Sequence, residues 1–276
     1  MQLQLETVSF ITALVALQLA LVLYVWGYIL KNRGSGKNGK TQFIFASLAL
    51  LMAWLALTIS LVTRAVQTGH APLTDMYEFT ASFCWGVIGA SLVFQRLLKT
   101  EILGAGGAII AFSLLAYAFT LPSEHAPLPQ VLQGTVLLPM HVSCAVIAYG
   151  MFALGFVSAV LLLIKERSAI AALPTIETLD RAGYIAVSVG LPFMTLVIVL
   201  GSIWASVAWG RFWAWDPKET ASLATWLIYA GYLVSRLLFK WHGSRSAWIL
   251  ILGFAAVLVT FFGNLFFSGL HSYGVS

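Results

Sequence analysis

The sequence carries little charge for its length. Only 9% of its 276 residues are Asp, Glu, Lys or Arg, whereas 60% are hydrophobic. Soluble domains contain about 25% charged residues, and no water-soluble fold could cover so much apolar surface. The low charge therefore excludes a soluble domain and indicates a membrane protein.

Cysteine is also scarce. Cys84 and Cys144 are the only two, and they lie 60 positions apart in separate apolar segments with no Cys-x-x-Cys pair. A thiol-disulfide exchanger needs a second cysteine within reach, so packing roles are expected for both. The sequence also lacks Cys-x-x-Cys-His, which excludes a c-type cytochrome with covalently attached haem.

Long apolar segments dominate what remains. A bilayer core of about 30 Å requires about 20 helical residues per crossing, and eight segments meet this length. They are residues 8–30, 42–63, 79–98, 102–121, 136–164, 184–207, 219–238 and 247–267. The sequence predicts an all-α integral membrane protein with about eight transmembrane helices, forming one polytopic domain over residues 1–276.

The ends of the apolar segments predict how the chain begins and turns. No Lys or Arg precedes the first segment, which spans a full bilayer, so a retained helix is expected and not a cleaved signal peptide. The stretch GSGKNGK at residues 34–40 predicts a flexible loop.

The basic residues predict the orientation, because short cytoplasmic loops hold an excess of Lys and Arg. Alternate loops divide the fifteen basic residues into twelve on one side and three, Arg64, Arg211 and Lys218, on the other. Both termini are therefore expected outside. The net charge of +5 is spread over several loops and does not line one face, so nucleic-acid binding is not expected.

The external loop between the sixth and seventh helices is rich in tryptophan. Residues 204–226 contain half of the ten tryptophans of the chain: Trp204, Trp209, Trp213, Trp215 and Trp226. An interfacial aromatic belt is one interpretation. The density favours a second one, a flat aromatic surface that stacks on a large planar hydrophobic ligand.

The residues after this cluster predict a helix start. Asp216 suits the N-cap, Pro217 the first helical position, and Glu219 the third, where it can complete a capping box. This structural role is compatible with a ligand surface, because a rigid helix start would fix the positions of the preceding tryptophans.

Two histidines are candidate metal ligands. His141 and His271 are expected at similar depth near the outer boundary, one on each side of the tryptophan loop in sequence. Imidazoles are axial ligands of haem iron, and a porphyrin on the tryptophan rings with one histidine on each face accounts for both features. His70 is a further candidate, whereas His125 and His242 are expected to be exposed loop residues.

The three external cations are candidate partners for the haem propionates. Arg211 is favoured over Arg64 and Lys218, because it lies within the tryptophan cluster. The alternative is that all three are simply solvated.

Three segments together resemble a known family. They are WGRFWAWDPKET at residues 209–220, GHAPLTDMYE at residues 69–78 and GLHSYG at residues 269–274. The first resembles the tryptophan-rich WWD domain of the haem-handling membrane proteins of cytochrome c biogenesis. The other two are similar to the CcsA branch of this family, also named ResC, from system II.

The resemblance implies a function in cytochrome c maturation. It implies that haem b binds without a covalent link between His141 and His271 at the external loop, where Trp209, Trp213, Trp215, Asp216 and Arg211 lie, and that His70 belongs to a second haem position. It also implies presentation of haem to the Cys-x-x-Cys-His thiols of apocytochrome c, together with a CcsB/ResB-type membrane partner. The membrane would be the bacterial cytoplasmic membrane or the thylakoid membrane.

Three other functions are alternatives to this one. A system I haem exporter of the CcmC type would have about six helices. A b-type electron-transfer cytochrome needs histidines on both sides of the bilayer, and here they cluster outside. A transporter would usually show repeats or broken helices near the midplane.

Overall fold

The described part of the chain forms eight helices, and helices that follow one another in sequence contact each other. The computed structural model describes residues 2–33, 36–124, 136–168 and 170–263. Within these ranges the helices are α1 (Gln2–Asn32), α2 (Gly36–Thr68), α3 (Met76–Leu97), α4 (Glu101–Phe119), α5 (Leu137–Arg167), α6 (Ile176–Trp209), α7 (Pro217–Leu237) and α8 (Ser244–Phe262). No strand occurs in this part of the chain, so the predicted all-α class is confirmed.

Seven of the helices are long and apolar enough to cross a membrane. The exception is α7, which has 21 residues but carries Lys218, Glu219 and Arg236 at its ends. At a rise of about 1.5 Å per residue, the 34 residues of α6 exceed the bilayer core by far. The protein is therefore a multi-pass membrane protein, as predicted.

Some helices, above all α1, α2 and α6, are longer than the apolar segments that predicted them. The first turns of α2 include residues 36–40, so the expected loop at residues 34–40 is wrong for most of its length. Similarly, α6 begins eight residues before its apolar segment, and Thr175 caps it by accepting from the backbone N–H of Thr178. Polar helical turns that project beyond the bilayer carry no hydropathy signal, which is why the sequence missed them.

Helix packing divides the bundle into two groups. α1 packs along α2, and α3 along α4, whereas α5 packs against α6 and α8, with α7 on α8. α3 also packs on α5 and so joins the groups. Cys84 is fully buried in α3 and donates from Sγ to the carbonyl of Ala111 at 3.2 Å, and this confirms its predicted packing role.

Candidate functional site

A cavity of about 170 Å³ opens between the two helix groups. It lies where α3, α5 and α7 begin and where α6 and α8 end, so five helices contribute to it. Its lining includes Phe79, His141, Gly201, Trp213 and Lys218. The cavity therefore brings together residues that are up to 188 positions apart, from Leu73 to Phe261.

His141 enters the cavity from the first turns of α5. Its Nδ1 lies 2.7 Å from the carbonyl oxygen of Val197 on α6. A carbonyl only accepts hydrogen bonds, so Nδ1 carries the proton, and a neutral ring then has its lone pair on Nε2. A carbonyl bond at one ring nitrogen fixes the tautomer and the orientation of metal-binding histidines in the same way.

Gly201 gives the imidazole its room. A Cβ added at this position would lie 2.7 Å from His141 Cε1 and 2.9 Å from its Nδ1. Real Cβ atoms do not approach ring atoms so closely. The glycine on α6 therefore allows the ring to approach the helix closely and reach Val197.

The tryptophan loop turns sharply at both of its ends. Gly210 ends α6 with φ 73° and ψ 14°, a left-handed cap in which its N–H donates to the carbonyl of Ser206. This is the usual role of a glycine at a helix C-terminus. Trp215 has a φ of 56°, which is uncommon for a residue with a side chain.

The tryptophan rings do not form a flat surface. Trp213 and Trp215 are 5.8 Å apart with their planes at 87°, and Trp204 and Trp209 are 4.8 Å apart at 73°. The expectation of one flat platform is therefore wrong for these four rings. The rings within each pair are instead steeply inclined to each other, and the four rings differ in the direction in which they point.

Two tryptophans point inward and one points outward. Trp204 is 3% exposed and lines the cavity together with Trp213, whereas Trp215 is 69% exposed. Trp226 takes no part, since its Nε1 donates to Thr195 Oγ1 on α6 at 2.8 Å. The loop thus has an inner aromatic wall and an exposed outer ring.

Asp216 caps α7 as the sequence predicts. Its Oδ1 accepts from the N–H of Lys218 at 2.9 Å, and the carboxylate of Glu219 accepts from the N–H groups of Asp216 and Ala214. Pro217 occupies the first helical position. The capping box is complete, and it anchors the tryptophan loop directly ahead of it.

The three basic residues at this end of the bundle, Arg64, Arg211 and Lys218, have different environments. Arg211 is exposed, whereas Lys218 is half-buried and lines the cavity. Among the described lining residues Lys218 is the only Lys or Arg. The structure therefore places Lys218, and not the favoured Arg211, in the lining of the cavity that also contains His141.

Arg64 is not available to a ligand. It is 1% exposed and lies between three carboxylates, with contacts of 2.7 Å to Glu78, 3.1 Å to Glu6 and 3.3 Å to Asp75. It also donates to the carbonyl of Ser123 at 3.0 Å. The expectation that Arg64 is a candidate propionate partner is wrong, because these partners occupy its donors.

This ionic cluster also holds one wall of the cavity. Glu78 accepts from both the N–H and the hydroxyl of Thr74, at 2.9 and 2.8 Å, and Asp75 caps α3 through the N–H of Glu78. Burial and the nearby Glu78 carboxylate raise the pKa of Asp75, and Arg64 opposes this. Thr74 and Asp75 line the cavity, so the cluster positions this edge.

The other histidines are distributed as follows. His70 lies just beyond the end of α2, with Nδ1 3.0 Å from the carbonyl of Ala71, at the same end of the bundle as the cavity but not in its lining. His242 lies at the opposite end, where its Nδ1 is 3.2 Å from Asp180 and its side chain is 64% exposed. His125 and His271 lie outside the described residues.

Sequence reasoning missed the residues that support His141. Val197 and Gly201 lie inside a long apolar segment and carry no polar signal of their own. Their role depends on α6 packing against α5, which is a tertiary contact. Lys218 did have a signal, because it is a charged residue beside a capping motif, but the sequence could not tell which way it points.

Comparison with known proteins places the chain in a family. The profile of the family described as Cytochrome C assembly protein matches residues 73–271, which cover the cavity and the tryptophan loop. The chain belongs to this family. Its matched segment begins in the loop ahead of α3 and runs to His271.

Its relatives assign it to the CcsA branch. The chain is 32% identical to the cytochrome c biogenesis protein CcsA of Guillardia theta, over 98% of this chain and 95% of that protein. It is 32% identical to the CcsA protein of Parasynechococcus marenigrum strain WH8102, over 95% and 94%. With the CcsA protein of Synechococcus sp. strain CC9311 it shares 34% identity, over 83% and 87%.

A solved structure shares the fold. The cytochrome c haem lyase CcmF superposes with a TM-score of 0.71 over 95% of this chain and 47% of that chain, at 20% identity. The chain therefore corresponds to about half of that larger protein. At this identity the likeness concerns the helical architecture alone.

Proposed function

We propose that the protein takes part in cytochrome c maturation, by binding haem in the cavity below the tryptophan loop and presenting it to apocytochrome c. The cytochrome c assembly family and the CcsA relatives support this role. The observation that carries the assignment to the cavity is the fixed imidazole of His141, whose Nδ1 is held by Val197.

The residues of the cavity suit haem b. Its walls combine aromatic rings with one imidazole in a defined tautomer, which is the combination that haem sites use. A cavity of about 150 Å³ holds a molecule the size of benzene, so 170 Å³ accommodates one edge of a tetrapyrrole. The remainder of the macrocycle would lie along the tryptophan loop.

His141 is proposed as one axial ligand and His271 as the other. Nε2 of His141 is the nitrogen with the lone pair when Nδ1 donates to Val197. His271 lies outside the described residues, and its assignment rests on its place in the sequence, after α8, which ends at the same end of the bundle as the cavity. Two axial imidazoles would shield the iron from other ligands.

The tryptophan loop is proposed to orient the haem for attachment. Each thioether forms when a cysteine S–H adds across a vinyl C=C, so that sulfur bonds to one vinyl carbon and hydrogen to the other. The protein contributes by holding the reactants in register, which is a large effect for bimolecular steps. Trp213 would contact the ring from inside, whereas the exposed Trp215 and Arg211 would face the apocytochrome.

His70 is proposed as an earlier station for haem. It lies at the same end of the bundle as the cavity, on the loop that supplies Thr74 and Asp75 to the wall. His70→Ala is expected to lower the amount of haem loaded without altering the ligation of what remains. A changed spin state in that variant would instead make His70 a ligand of the bound haem.

The tryptophan loop is proposed to face the outside, that is, the periplasm of a bacterium or the thylakoid lumen, with both termini on the same side. The twelve-to-three distribution of basic residues supports this orientation. In a Cys84→Ser, Cys144→Ser background, an impermeant thiol reagent should label Arg211→Cys in intact cells and leave Lys37→Cys unlabelled. Labelling of Lys37→Cys alone would contradict this orientation and indicate the reverse one.

A CcsB/ResB-type membrane protein is the proposed partner, and apocytochrome c the substrate. The direct test is maturation in a host without its own system, with the chain, the partner and an apocytochrome bearing Cys-x-x-Cys-His. Covalent haem in the cytochrome is measured by haem stain after denaturing electrophoresis. The stain is expected with the wild-type chain and not with His141→Ala. Equal staining of the cytochrome without this chain would show that the chain does not take part in maturation.

A further inference from the structure

The ammonium group of Lys218 forms no ion pair with a described residue, and the nearby carboxylate of Asp216 attracts it without contacting it. The ion pairs among the described residues belong to Arg64, and to Arg236 and His242 with Asp180. The Nζ of Lys218 lies 5.9 Å from the centre of the Phe79 ring, across the cavity on α3. A cation at that distance from an aromatic face is weakly stabilised, and half-burial removes much of its water.

A second donor in the same cavity is also unsatisfied. The Nε1 of Trp213 is buried and has no hydrogen-bond partner. Buried donors without partners are rare in folded proteins and require an explanation. Both Trp213 and Lys218 line the cavity, so one acceptor placed there could satisfy them.

The carboxylates of the cavity are engaged elsewhere. Asp75 accepts from the N–H of Glu78 and from Arg64, and Glu219 accepts from two backbone N–H groups of the tryptophan loop. Lys218 also stands in the first turn of α7, where the helix dipole favours an anion. The chemistry that fits these donors is a carboxylate supplied by the ligand.

We infer that Lys218 and the Nε1 of Trp213 bind a propionate carboxylate of haem and thereby set which edge of the macrocycle enters the cavity. The inference rests on the proposed function. In protohaem the two vinyl groups lie on the edge opposite the two propionates. Holding a propionate inside leaves the vinyl edge directed outward, where the cysteines of an apocytochrome can reach it.

The test compares two porphyrins that differ only in the carboxylates. The purified full-length chain, freed of haem, is titrated with protohaem IX and with its dimethyl ester, and binding is followed by absorbance. A hydrogen bond to a charged group corresponds to about a tenfold effect or more. Wild type should therefore bind protohaem IX at least about tenfold more tightly than the ester.

The variants assign this preference to the two side chains. Lys218→Met should bind both porphyrins with nearly equal affinity, and Lys218→Arg should keep part of the preference. Trp213→Phe retains a ring but loses the donor, so the preference should fall. Lys40→Met, an exposed lysine on α2 at the other end of the bundle, should behave as wild type.

The outcomes separate this inference from the proposed function. If wild type binds neither porphyrin, haem binding itself is wrong. If wild type binds both and Lys218→Met and Trp213→Phe retain its full preference for the free acid, haem binding stands and the carboxylate assignment is overturned. If Lys218→Met binds neither porphyrin, the preference of Trp213→Phe and Lys218→Arg for the free acid decides whether the carboxylate assignment holds.

Discussion

Two clusters of polar side chains at the same end of the bundle differ in whether their donors have partners within the protein. In the first helix group, Arg64 is fully buried and contacts three carboxylates and a carbonyl. At the cavity, Lys218 has no ion pair with a described residue and the Nε1 of Trp213 has no acceptor. The first cluster is complete within the protein, and the second has donors left over.

The difference distinguishes a structural site from a binding site. A buried charge is tolerated only when it is paired and hydrogen-bonded, and the Arg64 cluster meets this condition while holding Thr74 and Asp75 in the cavity wall. Donors without partners are tolerated where a ligand completes them. The Arg64 cluster is thus expected to govern folding, and the cavity to govern haem binding.

The largest expected effect is on stability, from removing Arg64. Arg64→Met would leave Glu6, Asp75 and Glu78 without their shared cation, and breaking a buried ion pair costs about 3–5 kcal/mol. Thermal unfolding in detergent should show a large loss for Arg64→Met and little change for Lys218→Met. Similar stability of the two variants would remove the contrast between the clusters.

A smaller effect, on haem retention, is expected from filling the space beside His141. In Gly201→Ala the new Cβ would meet the imidazole at 2.7 Å and turn it away from Val197. Loss of such a supporting contact weakens metal binding by about 10–100-fold. Gly231→Ala, on α7 with nothing within 4 Å of its Cβ, is the matched control, and equal haem content in the two would contradict the role of Gly201.

The next largest effect is a difference between substitutions of Trp213 and of Trp215 in the tryptophan loop. Trp213 lines the cavity, whereas Trp215 is 69% exposed. Loss of a stacked ring corresponds to about 0.5–1.5 kcal/mol, so Trp213→Ala should weaken haem binding by about two- to tenfold, measured by titration. Trp215→Ala should weaken it less and impair attachment to apocytochrome more. The reverse order would mean that the outer ring carries the ligand.

The smallest effect is expected at the helix cap. Asn is nearly as good an N-cap as Asp, so Asp216→Asn should preserve α7 and the loop ahead of it, with thermal stability and haem content close to wild type. Asp216→Ala should cost about 1 kcal/mol. A loss of haem in Asp216→Asn equal to that of Trp213→Ala would assign the carboxylate a role beyond capping.

The fold was largely predictable, because apolar length and charge placement act locally along the chain. Each of the eight apolar segments overlaps one helix of the described chain, and the cap at Asp216 is as expected. The extra turns of α2 and α6 were not, since polar helical residues resemble loops in composition.

Some of the residues that line the cavity could be singled out from the sequence, and their arrangement could not. His141 and Trp213 do share a cavity. The directions of side chains depend on packing between distant helices, however, so the sequence could not separate Lys218 from Arg64, nor show that the tryptophan rings stand perpendicular. Val197 and Gly201 become functional only through the contact of α5 with α6.

The absorption spectrum of the purified protein, oxidised and reduced, tests the central claim most directly. Haem held between His141 and His271 should give a six-coordinate, low-spin spectrum, and each single change to Ala should lower haem retention or alter the spin state. His125→Ala and His242→Ala should leave the spectrum unchanged. A wild-type low-spin spectrum with full haem content in the His141→Ala, His271→Ala double variant would contradict the account.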